Sequence, residues 1–151
     1  MTEDVARMVE VGGKDVASRE AIASVEVRMS GEAVRRLAGG TPKGDPLEAA
    51  RIAGLMAVKR TPELLPFCHP VALTGAEVTV QADPGEGAVR IRTTVRATDR
   101  TGVEMEALTG CAVAALSIYD TVKAFERDAL IGDLRLVEKR GGKSGEYRAS
   151  P

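Results

Sequence analysis

Six successive apolar residues, Cys111-Ala112-Val113-Ala114-Ala115-Leu116, interrupt a stretch whose other apolar positions recur at helical spacing. From about Val103 to Arg127 the stripe runs through Met105, Leu108, Ala112, Ala115, Tyr119 and Val122, the period of an α-helix. A helix that is apolar all round must be covered all round. Much of Ile52–Val58 has the same character. A sheet covers only one side of such helices, so a second subunit is the natural cover for the other, with a deeper single-chain core as the alternative.

The rest of the pattern supplies that sheet. Val25, Val27 and Met29 alternate with Glu26 and Arg28, a half-buried strand. Ser30 caps a short helix through Leu37 that ends at Gly39-Gly40. After the turn Thr41-Pro42-Lys43-Gly44, Asp45-Pro46-Leu47-Glu48 combines a cap, a first-position proline and an acid three residues on. That helix is expected to reach about Arg60 and stop before Thr61-Pro62. Val78 and Val80 mark a second strand, Asp83–Gly87 a hairpin turn, and Val89, Ile91, Thr93, Val95 and Ala97 one face of a third. Arg90, Arg92, Thr94 and Arg96 occupy its other face, and Ile131, Leu134, Leu136 and Val137 form a last strand. The order β, α in two pieces, β, β, α, β predicts an α+β, ferredoxin-like fold: a split β-α-β with an antiparallel sheet and helices on one face. One domain is expected over 1–151, with residues 1 to about 22 partly mobile and 140–151 a flexible glycine-rich tail.

Composition excludes several functions. A net charge of −1 argues against a bulk nucleic-acid binder, and four aromatics without Trp leave few stacking platforms. The longest uncharged runs, Leu64–Ala76 and Ala107–Tyr119, are 13 residues each, too short to cross a bilayer. Charges throughout the first twenty residues fit no secretory signal. Cys68 and Cys111 are therefore expected to be reduced in a cytoplasm. Neither CxxC nor HxxxH spacing occurs, so no metal site is expected within one chain.

The chemistry-bearing residues are few. Asp120 and Lys123 lie three apart on one helix face, either a surface ion pair or, beside the apolar run, a pair of tuned pKa suited to acid–base work. Glu104-Met105-Glu106 opens the same helix, where acids favour the positive dipole end. His69 is the only imidazole, and a lone histidine between Cys68 and Pro70 is more often a hydrogen-bonded core residue than a catalyst. Lys43, Lys59, Arg60, Lys139, Arg140 and Lys143 are cationic candidates, and Lys43 abuts a helix N-terminus. Gly141-Gly142-Lys143-Ser144 is not a phosphate loop, since the first glycine of that motif falls on Val137. Glu104 and Asp120 are 16 residues apart, roughly 24 Å along a straight helix and about 160° around it. If both serve one site, that site lies between chains.

Several motifs together resemble the MoaC family over about Met8 to Tyr147: Leu65–Pro70, Thr101–Leu108, Ile118–Lys123 and Gly141–Gly145, with Lys43-Gly44-Asp45, Ala50–Gly54 and Ala57–Thr61. The resemblance implies a lyase of molybdenum cofactor biosynthesis. Its substrate would be 3′,8-cyclo-7,8-dihydroguanosine 5′-triphosphate from a preceding radical-SAM enzyme, and its products cyclic pyranopterin monophosphate and pyrophosphate. It also implies a hexamer of three dimers with active sites between subunits. Carried over by motif, Asp120 and Lys123 form the catalytic pair. Phe67, Cys68, His69, Glu104, Met105 and Glu106 line the substrate. Lys43, Lys59, Arg60, Arg19, Lys139 and Lys143 would supply positive charge for the triphosphate or help the rearrangement. Phe67 stands where the family more often has Leu. The reaction removes no electrons from the substrate, so no redox cofactor is expected, though a divalent ion could ride on the triphosphate. The alternative is an oligomeric ferredoxin-like module that binds a small ligand; release of pyrophosphate from the cyclised nucleotide separates the two.

Overall fold

The computed structural model describes residues 4–151. Ala17–Arg28 (β1), Gly31–Ala38 (α1), Pro46–Leu64 (α2), Leu73–Asp83 (β2), Ala88–Asp99 (β3), Glu104–Val122 (α3), Leu130–Arg140 (β4) and Tyr147–Arg148 (β5) follow in order. The sheet runs β2-β3-β1-β4-β5 with every neighbouring pair antiparallel. This is the expected α+β, ferredoxin-like arrangement, with a fifth strand added from the tail.

The period-two pattern places the core. Val27 pairs with Val89, Val25 with Ile91, Ala23 with Thr93 and Ala21 with Val95, all on the buried face. Val34, Leu37, Val58, Cys111, Ala115, Ile118 and Val122 of the helices pack over them. The opposite face is ionic: Arg96 meets Glu20 at 2.8 Å, and Arg90 meets Glu26 at 3.0 Å. Helices therefore cover one face only.

Two caps form as the sequence predicts. Ser30 Oγ accepts the Ala33 N–H at 3.1 Å, and Asp45 Oδ1 accepts that of Leu47 at 2.9 Å. Three boundaries and the interior of one strand differ. First, β1 begins at Ala17 rather than near Val25, because Arg19 and Ala21 are buried opposite Ala97 and Val95 despite the mixed local pattern. Second, α2 continues through Pro62 to Leu64. Buried Thr61 donates its hydroxyl to Ala57 O at 2.9 Å and accepts the Leu65 N–H at its carbonyl, so packing overrides the local bias of the Thr-Pro pair. Third, α3 stops at Val122 because the following turn docks on α1. There the Arg36 guanidinium lies 4.4 Å above the Phe125 ring, and a Glu126 carboxylate oxygen accepts the Ser30 N–H at 2.8 Å. Fourth, β4 carries bulges opposite Ile22–Ala23 and Ser24–Glu26, which break simple alternation among Leu134, Leu136 and Val137. Asp133 takes φ +56° at the second of these and accepts from Arg28 at 2.9 Å.

The helices α2 and α3 run antiparallel and approach through glycines. A Cβ on Gly110 would sit 2.8 Å from a Val58 methyl and 3.0 Å from a Thr93 methyl, and both neighbours are buried. Alanine gains about 1 kcal/mol of helix propensity over glycine. Overpacking a filled interface costs about 1–3 kcal/mol. We expect Gly110→Ala to lower stability by up to about 2 kcal/mol, the packing cost less the propensity gain, read as a fall in the urea midpoint with unchanged slope; a higher midpoint would show that the helices can separate freely. The face of these helices turned away from the sheet stays apolar and open, with Ile52, Leu55, Met56 and Leu116 exposed.

Candidate active site

Two cavities meet at the N-terminal end of α3. The first, of about 600 Å³, gathers Lys14, Asp15, Arg19, Glu104, Lys139 and Lys143. The second, of about 400 Å³, gathers Phe67, Cys68, His69, Glu104, Met105 and Glu106. Thr101, Gly102 and Glu104 line both.

The first cavity is built by three chain segments that no local pattern links. Lys14 and Asp15 lead into β1, Arg19 lies within it, and Lys139–Ser144 leave β4. Lys139 is held from two sides: Nζ lies 2.8 Å from Glu104 Oε1 and donates to Ser144 Oγ at 2.9 Å. Arg19 is buried and donates from Nε to Asp99 O at 3.2 Å and from Nη2 to Arg100 O at 3.1 Å. The glycine-rich loop folds tightly against β1. Gly141 and Gly142 take φ +91° and +81°. A Cβ on the first would overlap the Ser18 carbonyl oxygen, and one on the second the Arg19 guanidinium. Only glycine brings the backbone this close in that conformation. Four cations against two carboxylates suit a polyanion.

The second cavity is different in kind. Cys68 Sγ donates to Glu106 Oε2 at 3.6 Å. The thiol's pKa is pushed up to about 11, first by burial and then by the neighbouring Glu106, so Cys68 is a neutral thiol at pH 7 rather than a nucleophile. Glu106 is 1% exposed, and its Oε1 has no hydrogen-bond partner among the described residues. Burial raises its carboxyl above the ordinary value, with Glu104 adding to the rise. A raised carboxyl favours the fold at low pH, and that benefit is lost once the unfolded chain ionises first. Relative to the parent, Glu106→Gln should therefore gain urea stability as pH rises from about 4 to about 7. A difference that does not vary with pH would show that Glu106 ionises freely in place.

Asp120, Lys123 and Lys43 lie at the other end of α3. Lys123 Nζ and Asp120 Oδ1 are 2.7 Å apart. Hydrogen bonding and charge from Lys123 lower the Asp120 carboxyl, with a smaller contribution from Lys43, and Asp120 raises Lys123 in return. The two side chains are 76% and 54% exposed, so within one chain the pair is open to water. This end of α3 is where the α1–α2 loop brings Lys43.

The candidates named from sequence thus fall into two groups. Arg19, Lys139, Lys143, Phe67, Cys68, His69, Glu104, Met105 and Glu106 line the paired cavities. Lys43, Asp120 and Lys123 cluster apart, and Lys59 and Arg60 stand exposed on α2, lining neither cavity. Sequence reasoning did not single out Lys14, Asp15 or Ser144. None sits in a periodic segment, and only the close packing of the glycine-rich loop on β1 brings them together.

The profile of the MoaC family matches residues 8–142. The chain is 54% identical over 143 residues to the cyclic pyranopterin monophosphate synthase of Pelotomaculum thermopropionicum, covering 94% of this chain and 84% of that protein. It is 55% identical over 143 residues to the protein of that name from Roseiflexus sp. strain RS-1, covering 94% and 90%. The like-named protein of Streptomyces griseus is 54% identical over 144 residues, covering 95% and 80%.

Proposed function

The chain belongs to the MoaC family, and on that footing we propose that it converts 3′,8-cyclo-7,8-dihydroguanosine 5′-triphosphate into cyclic pyranopterin monophosphate and pyrophosphate. The observation that carries this reading is the pair of joined cavities, one cationic and one lined by Cys68, His69 and buried Glu106, sharing Glu104. The triphosphate belongs with Lys14, Arg19, Lys139 and Lys143, and the heterocycle with the second cavity.

The phosphorus chemistry is a lyase step. A sugar hydroxyl gives up its proton to a general base as its oxygen bonds to the α-phosphorus, the bond from that phosphorus to the bridging oxygen breaks, and pyrophosphate leaves with the electron pair. Cations around the departing phosphates stabilise the charge that develops there. Opening the purine and rebuilding it as a pterin needs protons moved at the ring, the role we assign to Asp120 and Lys123. Within one chain those residues are roughly 24 Å from Glu104 along α3. The complete site therefore combines the paired cavities of one subunit with Asp120, Lys123 and Lys43 of another. The exposed apolar face of α2 and α3 supports assembly, and we place the chain in a hexamer of three dimers. The reaction as written calls for no redox cofactor, and Asp15 and Glu104 are the carboxylates of the first cavity that would face a divalent ion carried on the triphosphate. No helix among the described residues is long and apolar enough to span a membrane, and a cytoplasmic location suits the substrate.

The test is incubation of the protein with the cyclised nucleotide, following pterin and pyrophosphate together. Both should appear in equal amounts. Tight binding without release of pyrophosphate would overturn the enzymatic reading and leave a ligand-binding module.

A further inference from the structure

The corner between β3 and α3 is tied to the chain on both of its sides. Its Asp99 carboxylate accepts two backbone N–H groups, Ala72 at 2.8 Å through Oδ2 and Arg100 at 2.7 Å through Oδ1. Those two bonds are the main reason its pKa lies below the usual carboxylate range, so it is ionised at neutral pH. On the other side, Arg19 donates to the carbonyls of Asp99 and Arg100. Gly102, in the wall common to both cavities, lies three residues after Asp99, and His69, in the wall of the second, lies three before Ala72.

A backbone bond from Thr98 N–H to Ala72 O at 3.2 Å also links these segments, at the end of the β2–β3 ladder. Asp99 thus joins the connection carrying Cys68 and His69 to the corner carrying Thr101, Gly102 and Glu104, while the Cys68–Glu106 bond at 3.6 Å joins the same connection to the first turn of α3. We propose that Asp99 is a positioning residue, holding the Cys68–His69 wall in register with the shared Thr101–Glu104 wall so that a ring seated in the second cavity meets both. The proposal rests on the substrate placement given above.

A shift of about 1 Å in a reacting group costs on the order of 10²-fold. In Asp99→Ala, kcat should therefore fall by roughly ten- to a hundredfold, and backbone amides of 68–73 should exchange hydrogen about tenfold faster. Affinity for inorganic pyrophosphate should change by less than about threefold, because Lys14, Lys139 and Lys143 approach from other segments. Asp99→Asn keeps one acceptor for Ala72 and should fall between the parent and Asp99→Ala. A role in folding alone would lower turnover and pyrophosphate binding together, in step with the folded fraction. Unchanged kcat and exchange in folded Asp99→Ala overturns the proposal, as does a parallel loss of turnover and pyrophosphate affinity. If the alanine variant does not fold, Asp99→Asn is read in the same way. A parent protein that makes no pterin defeats the functional reading separately. In that case the proposal stands or falls on whether Asp99→Ala weakens the cyclised nucleotide while sparing pyrophosphate.

Discussion

Asp120→Asn is expected to lower turnover by about 10²–10⁴-fold, the usual range for a lost acid–base group, with the fold intact. The substitution keeps size and shape and removes only the charge that meets Lys123 at 2.7 Å. Exposed ion pairs contribute little to stability, and Val122, buried beside the pair, is untouched. Lys123→Ala should cost as much, and the double variant little more, because groups that act as a unit are not additive. Substrate affinity should fall less than turnover, since the proposed site holds the phosphates with other cations. Pterin formation and substrate binding are measured side by side for each variant. Near-normal turnover in folded Asp120→Asn would return the pair to the surface. The same geometry sets a condition on the chemistry. In one chain Lys123 holds Asp120 charged and Asp120 holds Lys123 charged, which suits neither for exchanging protons at pH 7. For the pair to work as proposed, desolvation by a second subunit and by substrate would have to bring their pKa values back toward neutrality.

The second large effect is recovery of activity on mixing two dead proteins. Glu104→Ala removes the carboxylate that holds Lys139 at 2.8 Å and faces both cavities. Asp120→Ala removes the proposed acid–base group at the other end of the same helix. Each variant alone should be nearly inactive. In a mixed dimer one site carries both lesions and the other carries neither. Random pairing of equal amounts should restore about a quarter of parental activity. Co-refolding two differently tagged variants and purifying the mixed species tests this directly. A verified hetero-oligomer with no recovered turnover would rule out a site shared in this way. A stable 15.9 kDa monomer in sedimentation at working concentration would rule it out as well.

How much of this could be read from the chain follows from the range of the forces involved. The strands and helices were legible because burial on one side imposes a period that local residues must obey. Val89 to Ala97 alternates for that reason, and Met105 to Val122 does not. The caps at Ser30 and Asp45 were legible because a side chain two or three residues away satisfies them. The all-apolar run in α3 correctly implied a helix layer richer in apolar surface than one sheet can cover, and Leu116 and Ile52 remain exposed. The motifs pointed to the family because they preserve chemistry in order along the chain. Other features are decided only by contacts between distant segments. Arg19 makes β1 longer than its pattern suggests by bonding to carbonyls eighty residues away. The α3 helix ends early because Phe125 and Glu126 turn toward α1. Lys14 and Ser144 join one cavity only because Gly141 and Gly142 let the backbone lie against Ser18 and Arg19. Asp99 acquires its distant backbone partner, the Ala72 N–H, only when the connection after α2 passes the corner before α3. Periodicity and capping are settled within a few residues, whereas a cavity wall depends on which surfaces close packing brings together. So the chain alone specifies its elements, its family and the separation of Asp120 from Glu104 along one helix, and the tertiary structure alone specifies which cations share a cavity with Glu104.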